Sequence, residues 1–166
     1  MKLFLLLCLL IFLAAILFVP FWMHRYQAWR LGGEYLGKEG VIFQSKANAC
    51  GPASLAMICR SHKIPIGELD IERSIGMTQE GVTMLALKDE ADRDGLKASG
   101  WRLTSEEFEK VQFPVLLFVN GDHFVVADSV NRGAAYLRDP AVGRLKISEK
   151  NLAHIWRGET LIFRER

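Results

Sequence analysis

Gln44-Ser-Lys-Ala-Asn-Ala-Cys50-Gly51-Pro52-Ala-Ser-Leu-Ala-Met-Ile58 is the stretch around which the rest of the chain can be organised. Gly51 and Pro52 are poor residues for a helix interior. Proline suits a first helical turn, however, and Ala53, Leu55, Ala56, Met57 and Ile58 are good apolar helix material. A helix is therefore predicted to begin at or just after Cys50. A thiol at that point meets unpaired backbone N–H groups and the positive end of the helix dipole, both of which favour thiolate over thiol. A thiolate that attacks an acyl carbon also needs donors for the developing oxyanion. Gln44, upstream of Cys50, can offer its side-chain amide beside the backbone N–H of Cys50 itself.

Such a nucleophile needs a base, and the base needs a third group to orient it. Pro114 to Val119 and His123 to Ser129 are apolar, β-branched runs separated by Asn120-Gly121-Asp122, and Ala134 to Arg138 follows the turn Val130-Asn131-Arg132-Gly133. If the last two strands pair around a three-residue loop centred on Asn131, His123 lies directly opposite Asp139. Opposed side chains on one face of an antiparallel pair sit about 4.5–5.5 Å apart at Cβ, within reach of an imidazole-to-carboxylate hydrogen bond. Asp122 adjoins His123 but should point to the other face, and Asp128 is also on the wrong face.

The Gln44…Cys50-Gly51-Pro52 segment, the His123-Phe-Val-Val strand and the Asp139-Pro140…Gly143 turn resemble the papain-like cysteine peptidases that process bacteriocin leader peptides after a double glycine. The resemblance runs from about Val41 to Trp156-Arg-Gly158. It implies Cys50 as nucleophile, His123 as base, Asp139 as its orienting partner and Gln44 as the oxyanion residue. It implies a peptide or protein as substrate. No cofactor is expected, and no metal, since Cys50, Cys59 and His62 would have to converge from one short segment and neither a C-x2-4-C pair nor an H-E-x-x-H helix is present. The best-known family members carry this domain ahead of many membrane helices and an ATPase. Here there is no G-x-x-x-x-G-K-[ST] sequence and no second long apolar run, so a separate export transporter is an expected partner.

Lys plus Arg total 21 and Asp plus Glu total 19, spread along the chain without a basic cluster, which argues against a nucleic-acid surface. Leu3 to Met23 carries no charge and is long enough to cross a hydrocarbon core of ~30 Å as a helix. It exceeds an ordinary signal-peptide core and lacks a small-x-small cleavage site, so it is expected to be an uncleaved anchor in a bacterial cell membrane. The basic residues that follow it point the body inward, whereas the short basic head points it outward. The expectation carried forward is a single-pass protein with its body on the extracytoplasmic side.

The expected organisation is an anchor over 1–23, a polar connector over 24–40 and a papain-like peptidase domain over 41–166. Short helices are predicted over Gly67 to Ser74, Thr83 to Asp94, Thr104 to about Lys110 and Ser148 to Trp156, the third from its capping box. Strands are predicted at Pro114–Val119, His123–Ser129, Ala134–Arg138, Leu145–Ile147 and Thr160–Arg164. Helices first and sheet second give an α+β fold with a mostly antiparallel sheet. Cys59 lies on the far face of the Cys50 helix and reads as a small apolar residue. His24, His62 and His154 read as surface or interfacial residues. Two other functions stay open at this point: a papain-like acyl or amide transferase, and a peptide-binding module on a peptidase scaffold that serves a transporter.

Overall fold

The computed structural model describes residues 22–165 together with residues 12, 15 and 19. The expected membrane span, Leu3 to Met23, lies for the most part outside the described residues; among them no helix is long and apolar enough to cross a membrane.

After a helical stretch over 22–30 the elements are β1 (Gly33–Gly37), α1 (Cys50–Ser61), α2 (Glu68–Ile75), α3 (Met84–Arg93), β2 (Leu96–Arg102), α4 (Ser105–Phe108), β3 (Val115–Val119), β4 (His123–Asn131), β5 (Ala134–Asp139), β6 (Gly143–Ser148), α5 (Glu149–Ile155) and β7 (Trp156–Glu165). The seven strands form one sheet in the order β1-β6-β5-β4-β3-β7-β2, and every neighbouring pair is antiparallel. The α+β expectation is met.

Both faces of the sheet are covered, which explains why β3 reads as an unbroken apolar run instead of an alternating one. Leu116 and Phe118 join the core beneath α1, α2 and α3, while Val115, Leu117 and Val119 face a second core with Ala28, Phe108, Leu152 and Trp156. Helix α1 is enclosed on all sides: every residue from Cys50 to Cys59 is buried.

Two ties hold α1 against the strands. Ser54, fully buried, donates its hydroxyl to the Phe124 carbonyl at 3.1 Å. At the other end of the helix, Arg138 Nη2 donates to Ser61 Oγ at 3.1 Å and to Asp128 Oδ1 at 2.7 Å. Asp128 can take this role because the β4–β5 register shifts between Ala127 and Ser129, leaving Asp128 as the extra residue of a bulge.

The expected β4–β5 register needs correction. The turn is two residues long, Arg132 and Gly133, both with positive φ (51° and 72°), and Asn131 pairs with Ala134. With the bulge added, Val126 pairs with Arg138, so Asp139 does not lie opposite His123.

The stretch expected as a polar connector, 24–40, is structured: it holds the end of the helical stretch and β1, which pairs with β6 from Gly33↔Ile147 to Gly37↔Arg144. Gly143, at φ +124°, allows this close approach, since a Cβ there would sit 2.7 Å from the Gly37 carbonyl oxygen. Strand β2 was also absent from the sequence-based expectation, and β7 begins at Trp156 instead of Thr160.

Gly51 is where packing at the start of α1 is tightest. A Cβ there would lie 2.4 Å from Val82 Cγ2, 3.2 Å from Leu87 Cδ1 and 3.3 Å from Phe124 Cδ2. Gly51→Ala should therefore destabilise the fold by about 1–3 kcal/mol through overpacking, despite alanine's better helix propensity. Urea denaturation of the two proteins checks this; equal midpoints would show that Val82 gives way freely.

Candidate active site

Cys50 opens α1 in a way that breaks an ordinary rule of helix design. The residue at the N-cap is Ala49, which makes no side-chain cap hydrogen bond. An alanine cap costs about 1 kcal/mol relative to Ser, Asp or Asn, and it leaves first-turn N–H groups without that acceptor. Pro52 brings no N–H of its own. The Gly51 backbone instead helps to lower the Cys50 pKa.

His123 starts β4, immediately after the Asn120-Gly121-Asp122 loop. Its Nε2 lies 3.0 Å from Asp139 Oδ1. Continued beyond Val126↔Arg138, the β4–β5 register would set residue 141 opposite position 123, so Asp139 is the diagonal neighbour on the same face. The diagonal is longer than a direct pair, but an imidazole and a carboxylate span it. Asp139 is held in turn by the chain beyond it: the N–H groups of Ala141 and Val142 donate to the same Oδ1 at 2.7 and 3.2 Å. Asp122 is exposed, and Asp128 is engaged by Arg138.

The same imidazole also interacts with the Cys50 thiol, so that each group perturbs the other. Burial alone would raise the Cys50 pKa, but the hydrogen bond from His123, the backbone of Phe124, the imidazolium charge and the backbone of Gly51 together hold it below the usual thiol value. Burial would likewise lower that of His123. The hydrogen bonds to Asp139 and Cys50, with the charges of both, overcome this and raise it to about 10. Both shifts run in the direction that favours a thiolate beside an imidazolium.

Gln44 is positioned by the same turn as Asp139: its backbone N–H donates to the Pro140 carbonyl at 3.0 Å. Its side-chain Nε2 donates to the carbonyls of Lys46 and Ala47 at 2.8 and 3.0 Å, and its buried Oε1 has no partner among the described residues. The loop between Gln44 and Cys50 is pinned by two carboxylates that sequence reasoning missed. Glu68 Oε1 accepts from the Ser45 N–H at 2.8 Å, and Glu72 Oε2 from Lys46 Nζ at 2.6 Å. Both acids are buried, and their i, i+4 spacing on α2 was the available signal.

Cys59 is a thiol of the opposite kind. Burial, with the carboxylates of Asp94 and Glu90 nearby, pushes its pKa up to about 12. Of the remaining histidines, His24 stacks on Tyr35 with ring centroids 5.9 Å apart, His62 Nδ1 lies 3.6 Å from Glu165 and His154 is exposed.

A helix that presents a buried thiol to an imidazole on the adjoining antiparallel sheet is the architecture of a cysteine peptidase. The chain belongs to the Peptidase C39 family, which matches residues 38–166, and it is a peptidase. It superposes with a TM-score of 0.73 and 33% identity on a double glycine motif protease from an AMS/PCAT transporter, solved in complex with the leader peptide; the match covers 76% of this chain and 91% of that one. It is 31% identical over 121 residues to the colicin V secretion/processing ATP-binding protein of Escherichia coli, which covers 73% of this chain but only 17% of that protein's length. It is also 30% identical over 130 residues to a probable functional amyloid protease of Pseudomonas aeruginosa, covering 71% of this chain and 57% of the relative.

The two thiols should differ sharply toward iodoacetamide. Because its pKa is lowered, Cys50 should stay reactive as pH falls below the ordinary thiol range, whereas in His123→Ala its labelling should fall with a midpoint near ~8.5. Cys59 should remain unlabelled until the protein unfolds. Peptide mapping by mass spectrometry reads both, and equal labelling of the two cysteines would contradict this account of their surroundings.

Proposed function

We propose that the chain is a cysteine endopeptidase that removes leader peptides, with Cys50 as nucleophile, His123 as acid and base, Asp139 as the residue that positions the imidazole and Gln44 as an oxyanion donor. The observation that carries this reading is a single imidazole that has Asp139 Oδ1 at 3.0 Å on its Nε2 and also interacts with the Cys50 thiol.

The Cys50 thiolate attacks the scissile carbonyl carbon. A C–S bond forms and the carbonyl π electrons move onto oxygen, where the Cys50 N–H and a Gln44 amide hydrogen receive the charge. In the resting enzyme that amide is turned toward Lys46 and Ala47, and the role asks for one of its two hydrogens at the oxyanion. As the intermediate collapses, the C–N bond breaks and His123 gives its proton to the departing amine. Water then attacks the thioester, His123 takes the proton from it, the C–S bond breaks and a carboxylic acid product leaves. Asp139 keeps the imidazole oriented throughout and supports its positive charge.

A double-glycine leader as substrate is supported by the likeness to the double glycine motif protease, and a transporter as partner by the likeness to the colicin V secretion/processing protein. The uncharged run Leu3 to Met23 supports an anchored enzyme, with the extracytoplasmic side retained as the proposed location of the body.

A synthetic leader-type peptide carrying a Gly-Gly pair, incubated with the purified full chain, should be cut after the second glycine. Cys50→Ala should lower kcat/KM by about four orders of magnitude or more, and Asp139→Ala by about two to four, because it orients without attacking. Undiminished cleavage by Cys50→Ala would end the assignment.

A further inference from the structure

The helical stretch 22–30 and β1 precede residues 38–166, so they lie outside the part of the chain that carries the family match. They nevertheless belong to the folded body. Ala28 is fully buried in the core on the far side of the sheet from α1, Leu31 packs against that core, and Asn151 Nδ2 donates to the Gly32 carbonyl at 2.7 Å.

This segment also reaches the candidate site. A pocket of about 430 Å³ is bounded by Gln27, Arg30 and Leu31 together with Asn120, His123 and Asp139. Two polar groups in its wall have no partner among the described residues. Arg30 is exposed and makes no ion pair among the described residues, and Gln27 Oε1 is buried with no hydrogen-bond donor among them. The Asp139 carboxylate is already engaged by His123, Ala141 and Val142, so Arg30 is the uncommitted charge.

The chemistry of the cleavage decides which part of a substrate reaches this pocket. The acyl half stays bonded to the Cys50 sulfur, whereas the half that departs as an amine takes its proton from the imidazole and must lie beside it. The pocket includes His123 and Asp139 and not Cys50, so it lies beyond the imidazole from the sulfur, where a chain that leaves on the amine side can extend.

We propose that the segment 22–30 forms a wall of the subsite for residues on the C-terminal side of the scissile bond, where Arg30 pairs with a substrate carboxylate and Gln27 Oε1 accepts a substrate N–H. This inference rests on the peptidase reading above and adds to it a preference for Asp or Glu shortly after the cut. Because Arg30 is open to solvent, the preference is modest, about fivefold over a neutral residue, with Lys and Arg disfavoured.

The test is cleavage of a proteome-derived peptide library by the detergent-solubilised full chain, with cut sites read by mass spectrometry and Cys50→Ala as the blank. Cys50-dependent cuts should be enriched about fivefold for Asp or Glu within the first few residues beyond the scissile bond. Arg30→Gln should flatten that enrichment, Arg30→Glu should invert it toward Lys and Arg, and Gln27→Ala should slow all cuts while keeping the charge preference. Arg30→Gln changes size little, so the test does not hang on the charge reversal folding well. Cys50-dependent cuts with the same flanking residues in the wild type and both Arg30 variants would overturn the subsite and leave the peptidase standing. No Cys50-dependent cut at all would overturn both.

Discussion

The hydrogen bond from the Ser54 hydroxyl to the Phe124 carbonyl is the contact on which the rest of the site depends. It joins the second turn of α1, the helix that carries the candidate nucleophile, to the residue that follows the candidate base. Both partners are buried, so a broken bond would leave an unsatisfied polar group at a cost of about 1–3 kcal/mol. Ser54 is the one hydroxyl in the otherwise apolar stretch from Ala53 to Cys59. Around it the apolar groups of Gly51, Val82, Leu87 and Phe124 are packed too closely for the helix to slide. The distance between sulfur and imidazole is thus set by core packing and not by surface loops.

The remaining parts of the site are fastened to this frame from behind. Arg138, next to Asp139 in sequence, grips Asp128 and the last turn of α1. Gln44 and Asp139 share the Pro140 turn, and the loop ahead of Cys50 hangs from Glu68 and Glu72. Helix starts are not all alike. Ala49 and Gly67 give α1 and α2 no side-chain cap hydrogen bond, while α3, α4 and α5 are capped by Thr83, Thr104 and Ser148. At α1 the missing cap leaves first-turn N–H groups beside Cys50.

Much of this was legible from residue order because its signals are local. Cys50-Gly51-Pro52 marks a helix start by proline and dipole arguments, the capping box at Thr104 marks another, and the apolar run before Asn120-Gly121 marks a hairpin. The proximity of His123 and Asp139 was anticipated, but by way of a direct cross-strand pair. The structure brings them together along a diagonal, since the turn is tighter and Asp128 is an added residue. A bulge depends on the tertiary partner it serves, here Arg138, and leaves little trace in a hydrophobic pattern. β1 and β2 were missed for a related reason. They are the two edge strands, with Gly33, Gly37 and Gly100 and few apolar residues, and are strands because β6 and β7 offer them hydrogen bonds. The buried Glu68 and Glu72 were overlooked because a carboxylate on a short helix is ordinarily solvated; only the loop lying across them reveals their use.

The burial of Cys59 has a consequence for the redox life of the enzyme. Cys50 and Cys59 lie on one helix, about 13 Å apart along its axis, well beyond the ~7 Å that a disulfide tolerates between Cα atoms. A sulfenic acid formed on Cys50 therefore finds no resolving partner in Cys59, and restoring the thiol falls to a thiol from outside the domain, before further oxidation makes the loss permanent.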